Sequence, residues 1–141
     1  MEISVRVAGL ILLTGIMLGP VDGARADAFD DGAVAYQRGD FLAARKIWTP
    51  LADSGGARAQ FNLGVLYDDG RGVVADREVA RSWWEKAAAQ GHREAVHNLA
   101  ASYLFGSTTT QDHQIGVKYM TRAATLGLVR SQYVLGKIYL H

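Results

Sequence analysis

A period of 36 residues runs through this chain from about Asp40 to Tyr139. It constrains the fold more than any single motif, because a repeated unit must bury its apolar face against neighbouring copies of itself. Asp40, Asp76 and Asp112 fall in register, as do Trp48, Trp84 and Met120, and Gly55, Gly91 and Gly127. The second half of the unit repeats as Ala59, Ala95 and Ser131; Leu63, Leu99 and Leu135; Gly64, Ala100 and Gly136; and Tyr67, Tyr103 and Tyr139, while Gly70 matches Gly106.

Each unit resolves into two helices. Ala59, Leu63, Leu66 and Tyr67 make one apolar stripe on a helix from near Ala57 to near Tyr67. Asp68-Asp69-Gly70-Arg71-Gly72 reads as a turn, and Asp76 stands where a helix N-cap belongs. The second helix carries Ala80, Trp83, Trp84, Ala87 and Ala88 and stops at Gly91, placed for a left-handed end. Asp40 with Gly55, and Asp112 with Gly127, are the equivalent start and stop signals. Gly64, Ala100 and Gly136 let helices approach closely; Gly116 alone stands inside a helix with no such role. Pro50 removes a backbone donor and is expected to bend its helix after Trp48. The units span about 28–55, 56–91 and 92–127, with a partial unit 128–141, and the fold class is all-α.

The first 26 residues read differently. Arg6 precedes an uncharged run from Val7 to Val21, and Ala24-Arg25-Ala26 supplies a small-x-small exit, the order of a secretory signal peptide. The run is short for a permanent span, which favours a cleaved signal over the alternative of an uncleaved anchor. Cleavage after Ala26 would give an exported chain, periplasmic or secreted, with no stable membrane span. The chain has no cysteine, so its stability in an oxidising compartment must come from packing.

Catalytic chemistry finds little support in the residues. Zero cysteine excludes thiol nucleophiles, and a net charge of +1 argues against a nucleic-acid partner. His97 shares a repeat position with Phe61 and Tyr133 and reads as filling an aromatic slot, while His92 and His113 lie at turns and His141 ends the chain. His92 and His97 are spaced wrongly for a shared metal, and counting a calcium loop from Asp68 puts Val79 where a glutamate belongs. Asp30-Asp31 falls in a fraying N-terminal segment. No catalytic residue, cofactor or metal site is assigned.

The run from Ala59 to Gly91 resembles a Sel-one-like repeat (SLR), a tetratricopeptide-like helix pair, through Ala59, Leu63, Gly64, Tyr67, Gly70, Gly72, Val73, Asp76, Ala80, Trp84, Ala87, Ala88 and Gly91. The third unit keeps Ala95, Leu99, Tyr103, Gly106, Ala123, Ala124 and Gly127 but replaces the G-x-G-V turn with Gly106-Ser107-Thr108-Thr109-Thr110. The first has a shorter turn (YQRGDF). The resemblance implies a short right-handed α-solenoid of about three helix pairs plus a terminal helix. A cysteine-rich branch of that family is associated with β-lactam hydrolysis, and this chain lacks the cysteines that define it.

In such arrays the first helices of the pairs line the concave face. The resemblance therefore points to Asn62 and Asn98, one unit apart, with Gln60, Arg58 and Arg130, as candidate groove contacts for a peptide backbone. The last helix, with Val129, Tyr133, Val134, Leu135, Ile138, Tyr139 and Leu140, is apolar around much of its circumference: either it caps the array by tucking into the third pair, or its far side docks on another molecule, or the chain is shortened from a longer array. The expected function is that of an exported, non-catalytic protein- or peptide-binding module, a scaffold or regulator in the cell envelope. The alternatives are an enzyme or accessory factor acting on cell-wall material, or a remnant of a longer array.

Overall fold

The computed structural model describes residues 19–106 and 109–140, with side chains from Ala26 onward. Among these residues there are seven helices and no strand: α1 (Gly19–Gln37), α2 (Phe41–Asp53), α3 (Ala57–Asp69), α4 (Arg77–Ala89), α5 (Arg93–Gly106), α6 (Thr110–Thr125) and α7 (Val129–Tyr139). Each helix packs chiefly on its neighbours in the chain, most closely within the pairs α1/α2, α3/α4 and α5/α6, and α7 follows against α6. Short connections make consecutive helices antiparallel. The result is the short α-solenoid that the period implies.

The start and stop signals account for most helix ends. The Asp40 carboxylate accepts from the Ala43 N–H at 3.0 Å, and that of Asp76 from the N–H groups of Glu78 and Val79, both at 3.0 Å. Gly91 follows α4 at φ +84°, a backbone state costly for any residue with a Cβ, and Gly55 and Gly127 do the same after α2 and α6. The third unit departs from expectation. Asp112 does not cap α6; Thr109 does, accepting from the Asp112 N–H at 3.1 Å and donating to its carboxylate at 2.7 Å. The threonine hydroxyl recruits an earlier start, and Asp112 becomes its first-turn partner.

Other boundaries also shift. α3 runs on to Asp69 and ends at Gly70, φ +67°, so Asp68 and Asp69 are helical rather than turn residues. α2 continues through Pro50 to Asp53. Asp30 and Asp31 lie inside α1, not in a frayed end, and α1 passes without interruption through Ala26. Residues 1–18 of the expected signal peptide, Ser107 and Thr108 of the third turn, and His141 lie outside the described residues.

One contact sets the spacing within the first two pairs. The Trp84 indole lies against Gly64, where an added Cβ would overlap the ring, and its Nε1–H donates to the Phe61 carbonyl at 3.2 Å. Trp48 does the same over Gly32, donating to the Phe29 carbonyl at 3.1 Å. Gly32 and Gly64 are spaced by 32 residues rather than 36, because the first connection, Arg38-Gly39-Asp40, is four residues shorter than 70–76. That offset hides Gly32 from a search at the main period. In the third pair Met120 replaces the tryptophan and Ala100 the glycine. Here the close approach moves to Gly116, where an added Cβ would lie 2.7 Å from Leu104 Cγ. Gly116 is thus a packing glycine after all.

Two expected packing residues stand open instead. Gly136 meets no atom within 4 Å of a built Cβ, and Tyr139 is 71% exposed. Both belong to α7, beyond which no described helix lies. Between units, the last-turn carbonyls of the second helices are held from the next unit. Gln60 donates to the Ala52 carbonyl at 3.1 Å, Arg122 to that of Ala88 at 2.7 Å, and Gln132 to that of Ala124 at 3.2 Å.

Gly64 and Gly136 occupy one repeat position in opposite surroundings, and alanine separates them. Gly64→Ala forces the indole of Trp84 to move and is expected to destabilise the chain by about 1–3 kcal/mol. Gly136→Ala adds helix propensity in open space and is expected to stabilise by about 0.5–1 kcal/mol. Urea melts followed by circular dichroism read both, and equal effects at the two positions would refute the packing argument.

Candidate functional site

The first helices of the three pairs, α1, α3 and α5, converge on a surface depression of about 320 Å³ lined by Phe29, Arg58, Phe61, Asn62, His92 and Glu94. Packing fixes its floor. Phe29 stacks on Trp48 with ring centroids 5.7 Å apart, and the Arg58 guanidinium lies 3.9 Å over the Phe29 ring. One step further, Phe61 stacks on the His92 imidazole at 4.8 Å. Aromatic and guanidinium planes thus alternate across three helices with little side-chain freedom left, so a ligand laid along them costs little ordering entropy.

His92 is anchored as the cap of α5. Its Nδ1 accepts from the Ala95 N–H at 3.3 Å, a role that requires an unprotonated Nδ1. Burial holds its pKa below the ordinary imidazole value, outweighing the pull of Glu94, whose carboxylate lies 3.6 Å away. Burial by itself would raise the Glu94 pKa. A backbone hydrogen bond, Arg93 at 3.1 Å and the neighbouring His92 reverse that and keep it below the usual carboxylate range. At neutral pH the depression therefore presents one cation at Arg58, one anion at Glu94 and a neutral imidazole stacked on Phe61.

The five expected groove contacts divide. Arg58 and Asn62 share the depression. Asn62 and Asn98 are half-buried, and neither side-chain amide makes a hydrogen bond to the described residues, so both amides are open to a ligand. Asn98, however, faces a second depression of about 290 Å³ with Asp68, Arg77, Ser102 and Phe105. Arg130 is exposed on α7 and close enough to His97 to help lower its pKa, behind the larger effect of burial. Gln60 does not belong to the groove. It is 4% exposed, with its amide donating to Ala52 and its carbonyl accepting from Gln90 at 2.9 Å. A glutamine beside a polar stripe looks like a contact in sequence, yet the open carbonyl of the preceding helix claims it.

His92, Glu94, Phe29 and Phe61 were absent from the expected contacts. One signal for Glu94 was available: Arg58, Glu94 and Arg130 recur at the 36-residue period and alternate in sign. His97 packs as expected, its Nδ1 2.7 Å from the hydroxyl of the fully buried Ser131. Among the described residues no three His, Asp or Glu side chains gather as a metal site, and no helix is long and apolar enough to cross a membrane.

Comparison with known proteins agrees with this architecture. The chain is similar to a Sel1 repeat protein from Oxalobacter formigenes, with a TM-score of 0.72 and 28% identity over 90% of this chain and 54% of that one. It is also similar to a protective antigen of uropathogenic Escherichia coli that displays an SLR fold, with a TM-score of 0.65 and 26% identity over 71% of this chain and 22% of that one. The chain thus spans about half of one relative and about a fifth of the other. No curated protein matches. The family model of the Sel1 repeat matches residues 57–92 and 93–128, a pair of units that coincides with α3/α4 and α5/α6. Such repeats serve in general as protein-interaction modules. With its helix pairs, its glycine-seated tryptophans and these two matched units, the chain belongs to the Sel1 repeat family.

Proposed function

We propose that this chain is an exported, non-catalytic adaptor of the cell envelope that holds an extended peptide segment of another protein across the first helices of its pairs. The observation that carries the reading is the ladder of Phe29, Arg58, Phe61 and His92, which spans three helices and stands beside the open amide of Asn62. A peptide backbone needs both a donor and an acceptor, and Asn62 supplies the pair. Arg58 and Glu94 suit a segment with a carboxylate toward one end and a cation toward the other. The flat rings take apolar side chains between them. Export rests on the charged start, apolar run and Ala24-Arg25-Ala26 exit of the N-terminal segment.

Affinity capture from envelope extract with the full chain identifies the partner, and variants test the face. Arg58→Glu combined with Asn62→Ala is expected to weaken binding of that partner at least about tenfold, roughly 1.4 kcal/mol. Gln132→Ala, outside the face, leaves it unchanged. Unaltered affinity in the double variant refutes the groove.

Acid acts on the same face through stability. The folded chain holds His92 and His97 below the ordinary imidazole pKa. The unfolded chain therefore takes up protons first as pH falls below about 6.5. Stability from these two groups is complete above that pH and is lost as pH drops toward their folded values. The melting temperature is expected to fall between pH 7.5 and pH 5.5, and His92→Asn, which keeps a side-chain cap acceptor without the titration, is expected to flatten the slope. A slope unchanged in that variant removes His92 from the account.

A further inference from the structure

One nitrogen in the groove stands between two groups and serves only one of them at a time. His92 Nδ1 lies 3.3 Å from the Ala95 N–H, from which it accepts, and 3.6 Å from Glu94 Oε2, to which it can only donate. Unprotonated, Nδ1 offers a lone pair and no hydrogen, so it caps α5 and gives the carboxylate nothing. Protonated, it offers a hydrogen and no lone pair, and the two roles exchange. The ring has little room to avoid the choice, since it is stacked on Phe61 with the planes 21° apart and its side chain is 18% exposed. Three charged groups face it: Arg58 from α3, and Arg93 and Glu94 from the first turn of α5.

We propose that His92 is an acid-operated switch of the groove: once protonated, its Nδ1 leaves the Ala95 N–H for the Glu94 carboxylate and withdraws that anion from the peptide the groove holds. The effect on a ligand rests on the peptide-binding reading above; the exchange of partners does not. Ala95 is fully buried, and its N–H, in the first turn of α5, loses its acceptor in the exchange. A cation then stands at the positive end of a helix, where a neutral ring or a carboxylate is favoured. The groove itself passes from a lone anion beside Arg58 to a closed ion pair beside Arg58, so a basic group on the ligand loses its counter-charge. Glu94 stays ionised throughout: burial alone would raise its pKa, and a backbone hydrogen bond, Arg93 and His92 more than reverse that. For His92, burial comes first in keeping the proton off; Glu94 favours the proton, and Arg58 and Arg93 oppose it. The resting state at neutral pH is therefore the capped one, and the switch operates on the acid side of the ordinary imidazole range.

An NMR titration of the isotope-labelled full chain, from about pH 7.5 to about pH 4.5, follows the imidazole nitrogens of His92 and the amide of Ala95. Nδ1 is expected to be unprotonated at the neutral end and to take up a proton below about pH 6.5. With the same inflection, the Ala95 amide is expected to lose about tenfold in protection against exchange relative to Leu99 further along α5, the loss of one helix cap. Glu94→Gln removes the receiving carboxylate and is expected to move the inflection to lower pH, and Arg58→Gln to higher pH. In His92→Asn the Ala95 amide is expected to show no inflection. An Ala95 amide that keeps its protection while His92 titrates overturns the proposal, as does an Nδ1 that already carries the proton at neutral pH, or an inflection that ignores Glu94→Gln. None of these readings involves a ligand, so they judge the switch apart from the groove's occupant.

Discussion

A tryptophan ring laid on a bare helix backbone is the contact on which the rest of this structure depends. An indole fits between two helices at that distance only if one of them gives up a Cβ, and its N–H stays satisfied only if a main-chain carbonyl is within reach. Gly32 and Gly64 meet the first condition and the carbonyls of Phe29 and Phe61 the second. With the separation of each pair fixed, the small residues around it follow. Ala44 is buried in one cluster with Trp48, and Ala80, Ala87 and Ala88 in another with Trp84. The same contact positions Phe29 and Phe61, whose rings form the floor of the groove.

Much of this was legible in the residues, and the misreadings share a cause. Periodicity reports what recurs, so it found the helix pairs, the aspartate caps and the left-handed glycines. It was blind to substitutions of one solution for another. Thr109 took over the cap that Asp112 holds in register, since a hydroxyl three residues earlier does the same work. Gln60 looks like a groove residue in sequence because its polarity is visible there and its acceptor, the Ala52 carbonyl, is not. Gly136 carries the repeat letter, yet no described residue packs on it. The aromatic floor is not legible in the period, because Phe29 sits at an offset of 32 residues from Phe61 and His92 at a turn, and only the packed helices bring them to one surface.

The groove shows how a repeat fold acquires a site without dedicating an element to it. Arg58, Glu94 and Arg130 stand at equivalent positions, and their alternating sign is the kind of change a scaffold tolerates because none of the three supports the core. His92 is different. It caps a helix, stacks on Phe61 and faces Glu94, so structural and ligand-facing roles meet in one imidazole.

The clasps between units differ in kind, and that difference sets where order is lost. Two are neutral amide bonds from Gln60 and Gln132; the middle one, Arg122 on the Ala88 carbonyl, is charge-assisted and shorter at 2.7 Å, a type roughly twice as strong. In a solenoid, cooperativity is the sum of nearest-neighbour couplings. Unequal couplings make α3 to α6 the most firmly joined stretch of the described helices. Among the described units, the pair joined by a guanidinium is then expected to hold together longest.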